Sequence, residues 1–379
     1  HYRVSVENGS VLLHDRSRDR MVSDVLRYEY QLDAGDTYSF GPVPGHGPWW
    51  AVLDAATPHP NRPDALRLSH TLRVPAHYNR DDGPQGETTL RMTTDLALGP
   101  HRALELDIRY ENTACDGRLR VVVPANTTTR TAWADGHFRW AERTKPTAQT
   151  PETHPERYGG YPGELMYPTH HQGDGVRVEE GGGHTWVANR GLPEYELLDP
   201  EGDTHIAVTL HRAVSHLSVE GGRIRDCQAG PSVPTPGAQC QRPMRAELAY
   251  GTGALSGANV RRHMRAYAHP AWSHEMPALP HIESDGAYPR ADALIALNNP
   301  HIALSTFAPG PTPGTQVLRL VNRSANEQTT TVTLGLPAME ACQTDLHERW
   351  AEETAVSITD GTLVVTLPGH AIQTWMLRQ

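Results

Sequence analysis

The run Thr88-Thr-Leu-Arg-Met-Thr-Thr-Asp-Leu-Ala-Leu98 breaks at Gly99-Pro100 and resumes as Ala103-Leu-Glu-Leu-Asp-Ile-Arg-Tyr110. Apolar residues recur there at every second position, the period of a half-buried strand rather than of a helix. The same texture extends in both directions. Tyr2–Val6 and Val11–His14 alternate around Asn8-Gly9, a dipeptide suited to a two-residue hairpin turn. Leu66–Val74, Arg118–Pro124, Val176–Val178, Thr185–Ala188, His205–Val214 and Arg245–Ala249 continue the series, with Leu119, Val121 and Val123 on one face of their strand. One short helix is expected at Ala258–Tyr267, where Val260, Met264 and Tyr267 fall at helical spacing ahead of Pro270. Residues 141–168, rich in Pro, Thr and Gly, read as a long irregular loop, a kind that is usually functional or mobile.

Near Pro277–Pro289 the texture turns Pro-, His- and Gly-rich. Beyond it, Ile302–Phe307, Gln316–Asn322, Thr329–Leu334, Ala341–Leu346, Ala355–Thr359, Leu363–Leu367 and Ile372–Leu377 read as strands, with Asp360-Gly361 as a turn. This spacing predicts a small sandwich over residues 279–379, after a larger two-sheet sandwich over 1–278.

Composition narrows the function. The 379 residues carry 34 Lys plus Arg against 44 Asp plus Glu, a formal net charge of −10. That balance argues against nucleic acid as a partner, because phosphate binding needs a basic footprint. No apolar run approaches the roughly 20 residues that span a bilayer, so no membrane partner is expected. The 22 histidines are scattered and form no H-E-x-x-H pair, and a histidine-based metal site within the chain is not expected. Cys115, Cys227, Cys240 and Cys342 make no C-x-x-C pair. Cys227 and Cys240 bracket a Pro/Gly-rich segment and could be bridged, but a reduced, cytoplasmic chain is the simpler reading. The sequons at Asn8, Asn126 and Asn322 carry little weight without a secretory signal. The chain begins at His1 with no initiator Met, which suggests a piece of something longer. No nucleophile elbow, P-loop or dinucleotide fingerprint is present.

Several motifs go further. Asp33-Ala-Gly-Asp-Thr-Tyr-Ser-Phe40 resembles the D-x-G-D-x-Y-x-F stretch in the β-rich part of glycoside hydrolase family 38, the α-mannosidases. Asn112-Thr-Ala-Cys-Asp-Gly-Arg-Leu-Arg120 resembles that family's N-T-x-x-D-H-R-L-R strand, with Gly117 where the family has histidine. Arg190-Gly-Leu-Pro-Glu-Tyr-Glu196, Ala207–Val214, Ala229–Cys240, Leu318–Asn322 and Pro368–Leu377 follow in the family's order.

The resemblance implies an all-β fold, a large galactose-mutarotase-like supersandwich followed by a small C-terminal β-sandwich. It also implies a retaining α-mannosidase whose aspartate nucleophile, second carboxylate and zinc belong to an N-terminal catalytic domain that precedes the β part. No catalytic residue and no metal ligand are therefore expected in this chain. The implied partners are that catalytic domain and an α-mannoside oligosaccharide or glycoside. From the same resemblance Tyr38 is expected to reach the sugar, with Asp36 and Arg212 as further substrate-binding candidates.

The residues themselves allow plainer roles: an Asx-turn at Asp36, a packed phenol at Tyr38, and a pairing of Arg212 with Glu194 or Glu196. Two other functions fit the pattern. One is a self-contained carbohydrate-binding protein that presents Trp49-Trp50, Trp133, Trp140 and Trp186. The other is an aldose epimerase with His211 and Glu194 as its acid–base pair.

Overall fold

The computed structural model describes residues 1–100, 102–157, 163–271, 293–335 and 338–378. Their regular structure is strands, apart from one α-helix and three short 3-10 turns. They form two compact units, His1–Ala134 with Glu142–Pro270, and Asp135–Ala141 with Ala271–Gln379. The boundary expected at 278/279 lies outside the described residues.

The first unit is built on two sheets. The nine-stranded sheet runs, in spatial order, Trp140–Thr144, Thr131–Asp135, Gly175–Glu180, Gly183–Asn189, Pro243–Gly253, Ala103–Glu111, Thr88–Gly99, Arg62–Val74 and Val52–His59. The six-stranded sheet runs Thr169–His171, Glu194–Leu198, His205–Ala213, Gly117–Pro124, Arg27–Leu32 and Trp49–Trp50. Alternation has the consequence expected of it. Leu90, Met92 and Leu96 of one sheet share a core with Leu119, Val121 and Val123 of the other. Tyrosines tie the sheets together across this core. Tyr28 hydrogen-bonds Thr94, Tyr110 lies 2.9 Å from His211 Nδ1, and Tyr250 donates to Pro124 O at 3.0 Å. A buried phenol needs such a partner, and each ring finds one on the opposite sheet.

Both two-residue turns take the left-handed geometry of type I′, with φ of 50° and 77° at Asn8-Gly9 and 49° and 64° at Asp360-Gly361. The helix spans Gly257–Ala268. Ser256 caps it by accepting from Asn259 N, and the side chains it buries are Val260, Met264 and Tyr267. Among the strands that escaped the sequence pattern are Arg27–Leu32, Val52–His59, Thr131–Asp135 and Trp140–Thr144. Val52–His59 is an edge strand exposed along most of its length, so it carries no alternation to read. Trp140–Thr144 occupies the start of the expected 141–168 loop, and after it the described residues are irregular up to Pro168 apart from turns and a single bridge.

The second unit has a five-stranded sheet of Ile302–Pro309, Thr315–Asn322, Ile372–Arg378, Glu340–Thr344 and Ala355–Ser357. A three-stranded sheet of Ile295–Leu297, Gln328–Leu334 and Thr362–Leu367 completes it, around Leu318, Leu320, Val332, Val365 and Trp375. Leu346, expected to end a strand, is exposed, because that strand stops at Thr344. Asn322 is fully buried and its amide donates to the carbonyls of Asn326, Leu367 and Pro368. It is a fastener of this unit and has no amide left to glycosylate.

Two imidazoles are buried in the first unit's core. Burial lowers the pKa of both His70 and His211 from 6.5 to about 4, and each keeps one ring nitrogen without a partner. The unfolded chain therefore takes up these protons first as pH falls. The stability they contribute is complete above pH 6.5 and is lost toward pH 4. Between pH 6.5 and 5, ahead of most carboxylate titration, the unfolding free energy should fall by roughly 1–2 kcal/mol per histidine. Urea midpoints measured across that range check this, and a flat profile would contradict it.

Candidate functional site

The Asp33–Gly41 loop leaves the end of Arg27–Leu32 and is closed at its waist by backbone. Ala34 N donates to Gly41 O at 2.7 Å, and a Cβ on Gly35 or on Gly41 would fall on the backbone of the opposite limb. Asp33 is buried at this waist. Its Oδ1 accepts from the amides of Gly35 (2.9 Å) and Gly41 (2.8 Å), and its Oδ2 pairs with Arg212 at 2.7 Å. Burial pushes the Asp33 carboxyl pKa up, while Arg212 and the two amides pull it back.

Asp36 is equally enclosed. One carboxylate oxygen caps the amides of Tyr38 (2.9 Å) and Ser39 (3.0 Å), and the other accepts from Val219 N (3.0 Å) and Arg225. The Asx-turn reading of Asp36 is thus correct and incomplete. The side chain also fastens the loop to the 215–230 segment, helped by Thr37, which donates to Leu217 O. Arg212 does not pair with Glu194 or Glu196, the partners expected from the sequence. It bridges Asp33 and the carbonyl of Asp36, at 2.9 Å, across the loop. Tyr38 is not packed. Its side chain is 55% exposed, beside Gly230 and with the Arg225 guanidinium 5.5 Å from its ring centre. Of the three substrate-binding candidates, it alone is exposed.

Under the loop lies a layer that the sequence concealed. On Gly117–Pro124 the residues alternating with the core apolar set are Arg118 and Arg120, and both are buried. Arg120 holds Glu29 at 2.6 and 2.9 Å and also pairs with Glu196. Arg118 reaches Gln31 (2.7 Å), Thr169 (3.1 Å), Glu194 (3.3 Å) and Glu196 (3.3 Å), and Phe40 of the loop stacks 3.7 Å over its guanidinium. Burial, then the neighbouring Arg120, weaken the hold of Arg118 on its proton. For Arg120 burial acts the same way, but Glu196 and Glu29 outweigh it. Glu194 and Glu196 therefore carry the structural arginine pairing expected for them. Gly117 is explained by a neighbour: a Cβ there would overlap the hydroxyl end of Tyr30, which fills the space a histidine would take.

Beside the loop opens a cleft of about 380 Å³, walled by Asp33–Gly35 on one side and lined also by Tyr78, Arg80, Asp116 and Ser232. Tyr38 does not line it. Of the tryptophans offered for stacking, Trp140 is buried and Trp49 is partly buried against the core. Trp186 is buried, Trp50 is covered by Arg27 at 3.9 Å, and Trp133 by Arg177 at 5.1 Å. His211 is bonded to Tyr110 in the core, whereas Glu194 bonds Arg118 and Thr209, so the two do not form a pair. All four cysteines are free thiols, Cys227 and Cys240 included. Among the described residues no three His, Cys, Asp or Glu side chains gather as a metal-ligand set. The described residues therefore offer no set that fits the zinc implied by the resemblance. No described helix is long and apolar enough to cross a membrane.

Comparison with known proteins bears on the resemblance directly. Residues 301–375 match the family model for the glycosyl hydrolases family 38 C-terminal beta sandwich domain. A curated relative, a putative mannosylglycerate hydrolase of Halalkalibacterium halodurans, is 26% identical over 68% of this chain and 27% of its own length. Two solved structures share the fold over the whole chain. A protein in the glycosyl hydrolase family 38 from Enterococcus faecalis matches with a TM-score of 0.75 at 19% identity. An alpha-mannosidase from Enterococcus faecalis V583 matches with a TM-score of 0.73 at 20% identity. This chain spans 43% and 41% of those two chains. The motif resemblance to family 38 and the all-β sandwich fold are thus both supported.

The packing of Gly117 on Tyr30 is open to test. Gly117→His, the residue of the resembled motif, should lower the unfolding free energy by about 3 kcal/mol or more, because an overpacked core strand must shift. Adding Tyr30→Ala should recover part of the loss, and chemical denaturation of the single and double variants reads the difference. Additive losses would show that the two positions do not compete for one space.

Proposed function

We propose, for a chain related to glycosyl hydrolase family 38, that it is the β-rich part of a larger α-mannoside hydrolase and closes one wall of the sugar site. The observation that carries this reading is the Asp33–Gly41 loop. Both of its aspartates are spent on fixing its shape, and of its two exposed residues Thr37 spends its hydroxyl on Leu217 O, which leaves Tyr38 as the exposed side chain the loop itself does not use. A phenol held so can stack against a sugar and both donate and accept a hydrogen bond. In this reading Asp36 and Arg212 position the loop and do not touch the substrate. The nucleophile, the acid/base carboxylate and the zinc are supplied by a catalytic domain outside this chain, which covers 27% of its curated relative and 41–43% of the two structures. The substrate class is an α-mannoside, small glycosides such as mannosylglycerate included. The four free thiols favour a reducing compartment, and we place the protein in the cytoplasm.

Tyr38→Phe, made in the full-length enzyme, should lower kcat/KM about tenfold, in line with a lost hydrogen bond of roughly 0.5–1.5 kcal/mol. The melting temperature should not change, since the side chain is exposed. Unaltered steady-state kinetics would remove Tyr38 from the sugar site. The chain on its own should not hydrolyse 4-nitrophenyl α-mannoside. Turnover by this chain that a chelator abolishes would overturn the proposed division of labour.

A further inference from the structure

The cleft beside the loop is not used by the reading above, and its chemistry is specific. Its volume, about 380 Å³, lies within the range of about 300–1,000 Å³ typical of small-molecule sites. Arg80 ties its two walls together, donating to the carbonyl of Ala34 on the loop and, at 2.9 Å, to that of Glu220 opposite. Asp33 is neutralised by Arg212, and Asp116 accepts from Gln239 at 2.7 Å, so both acidic groups are held in place. The hydroxyls of Tyr78 and Ser232 line the space and hydrogen-bond nothing among the described residues. His216, bonded to Ser215 at 2.9 Å, adds an imidazole.

Charge decides against an anion. Once Asp33 is paired, the single cation Arg80 faces Asp116 and Glu220, so an acidic ligand would meet net repulsion. Groups that donate, accept or do both, set around one phenol ring, suit the hydroxyls and apolar face of a neutral sugar.

We propose that this cleft is a second carbohydrate subsite that takes a neutral, non-reacting hexose unit. It shares the wall Asp33–Gly35 with the loop but is separate from the position served by Tyr38. That the hexose belongs to a mannoside rests on the functional reading above. The cleft's preference for a neutral sugar does not.

The test is titration of the purified chain with methyl α-mannoside, an α-linked mannobiose, methyl β-galactoside and D-glycerate, followed by calorimetry and ligand-observed NMR. Saturable mannoside binding is expected, weakened tenfold or more by Ser232→Trp, which fills the cleft from an exposed position. Tyr78→Phe, which keeps the ring, should weaken binding several-fold, and Tyr38→Ala should leave it unchanged. D-glycerate should not bind. Absence of saturation by every neutral sugar, equal loss in Tyr38→Ala, or binding of glycerate alone would overturn the subsite. Preference for the galactoside would support the cleft while counting against the mannoside reading. No binding by a chain whose full-length enzyme cleaves α-mannosides would count against the cleft alone.

Discussion

The arginine pair Arg118 and Arg120 is the constraint around which the first unit is arranged. Both are buried on the face of the six-stranded sheet that looks away from the inter-sheet core. Two guanidinium groups out of water need acceptors for their N–H groups, and every nitrogen of the pair except Nε of Arg118 has one. The same sheet supplies them: Glu29 and Gln31 stand on the adjacent Arg27–Leu32, and Glu194 and Glu196 on Glu194–Leu198, one strand beyond His205–Ala213. Removing one partner would strand a charge in a dry layer, and that cost ties together the identities of the three strands that carry the network. The network specifies which strands are neighbours more firmly than apolar packing would, since a one-residue slip would aim the carboxylates into the core.

The network also explains the roof. Phe40 covers Arg118, so the loop that carries Phe40 must close over the sheet face. Its two aspartates are the means. Asp33 fixes the waist and Asp36 the tip, each with all its acceptor capacity turned inward or toward a paired arginine. Glycine at 35 and 41 is required because the two limbs touch. The D-x-G-D spacing is thus a folding instruction before it is anything else.

How much of this was legible depends on what alternation encodes. A period of two gave the hairpins, both sandwiches and the core faces, since Leu119, Val121 and Val123 or Leu318 and Leu320 announce a buried side. It was silent on the other side. Arg118-Leu-Arg120 reads as a solvent-facing polar set, and nothing in the local pattern reports that Phe40, about eighty residues earlier, buries it. Tyrosine bridging was hidden for a similar reason: Tyr28 and Tyr30 fill inward positions of a strand whose charged alternate Glu29 also lies buried. The motif at 112–120 could be matched without knowing why its histidine is Gly117. The reason is a side chain on the neighbouring strand, and no single-segment reading contains it.

A loop fixed this thoroughly is ill suited to act as a lid. Closure on a ligand would have to break the Asp33–Arg212 and Asp36–Arg225 pairs and the backbone bond at the waist together, exposing charges the fold has taken care to pair. What such a loop can do is hold one group at a set position before the ligand arrives, so that little ordering remains to be done on binding. Tyr38 is the side chain left over from that fixation, exposed, with the Arg225 guanidinium near its ring. The cleft lies against the same rigid wall at Asp33–Gly35, so its shape too is set by the loop's closure and not by its occupant. One set of buried pairs therefore fixes both the exposed phenol and the cavity next to it. A substitution in Arg212 or Arg225 would disturb the two together, whereas changes at Tyr38 or Ser232 would separate them.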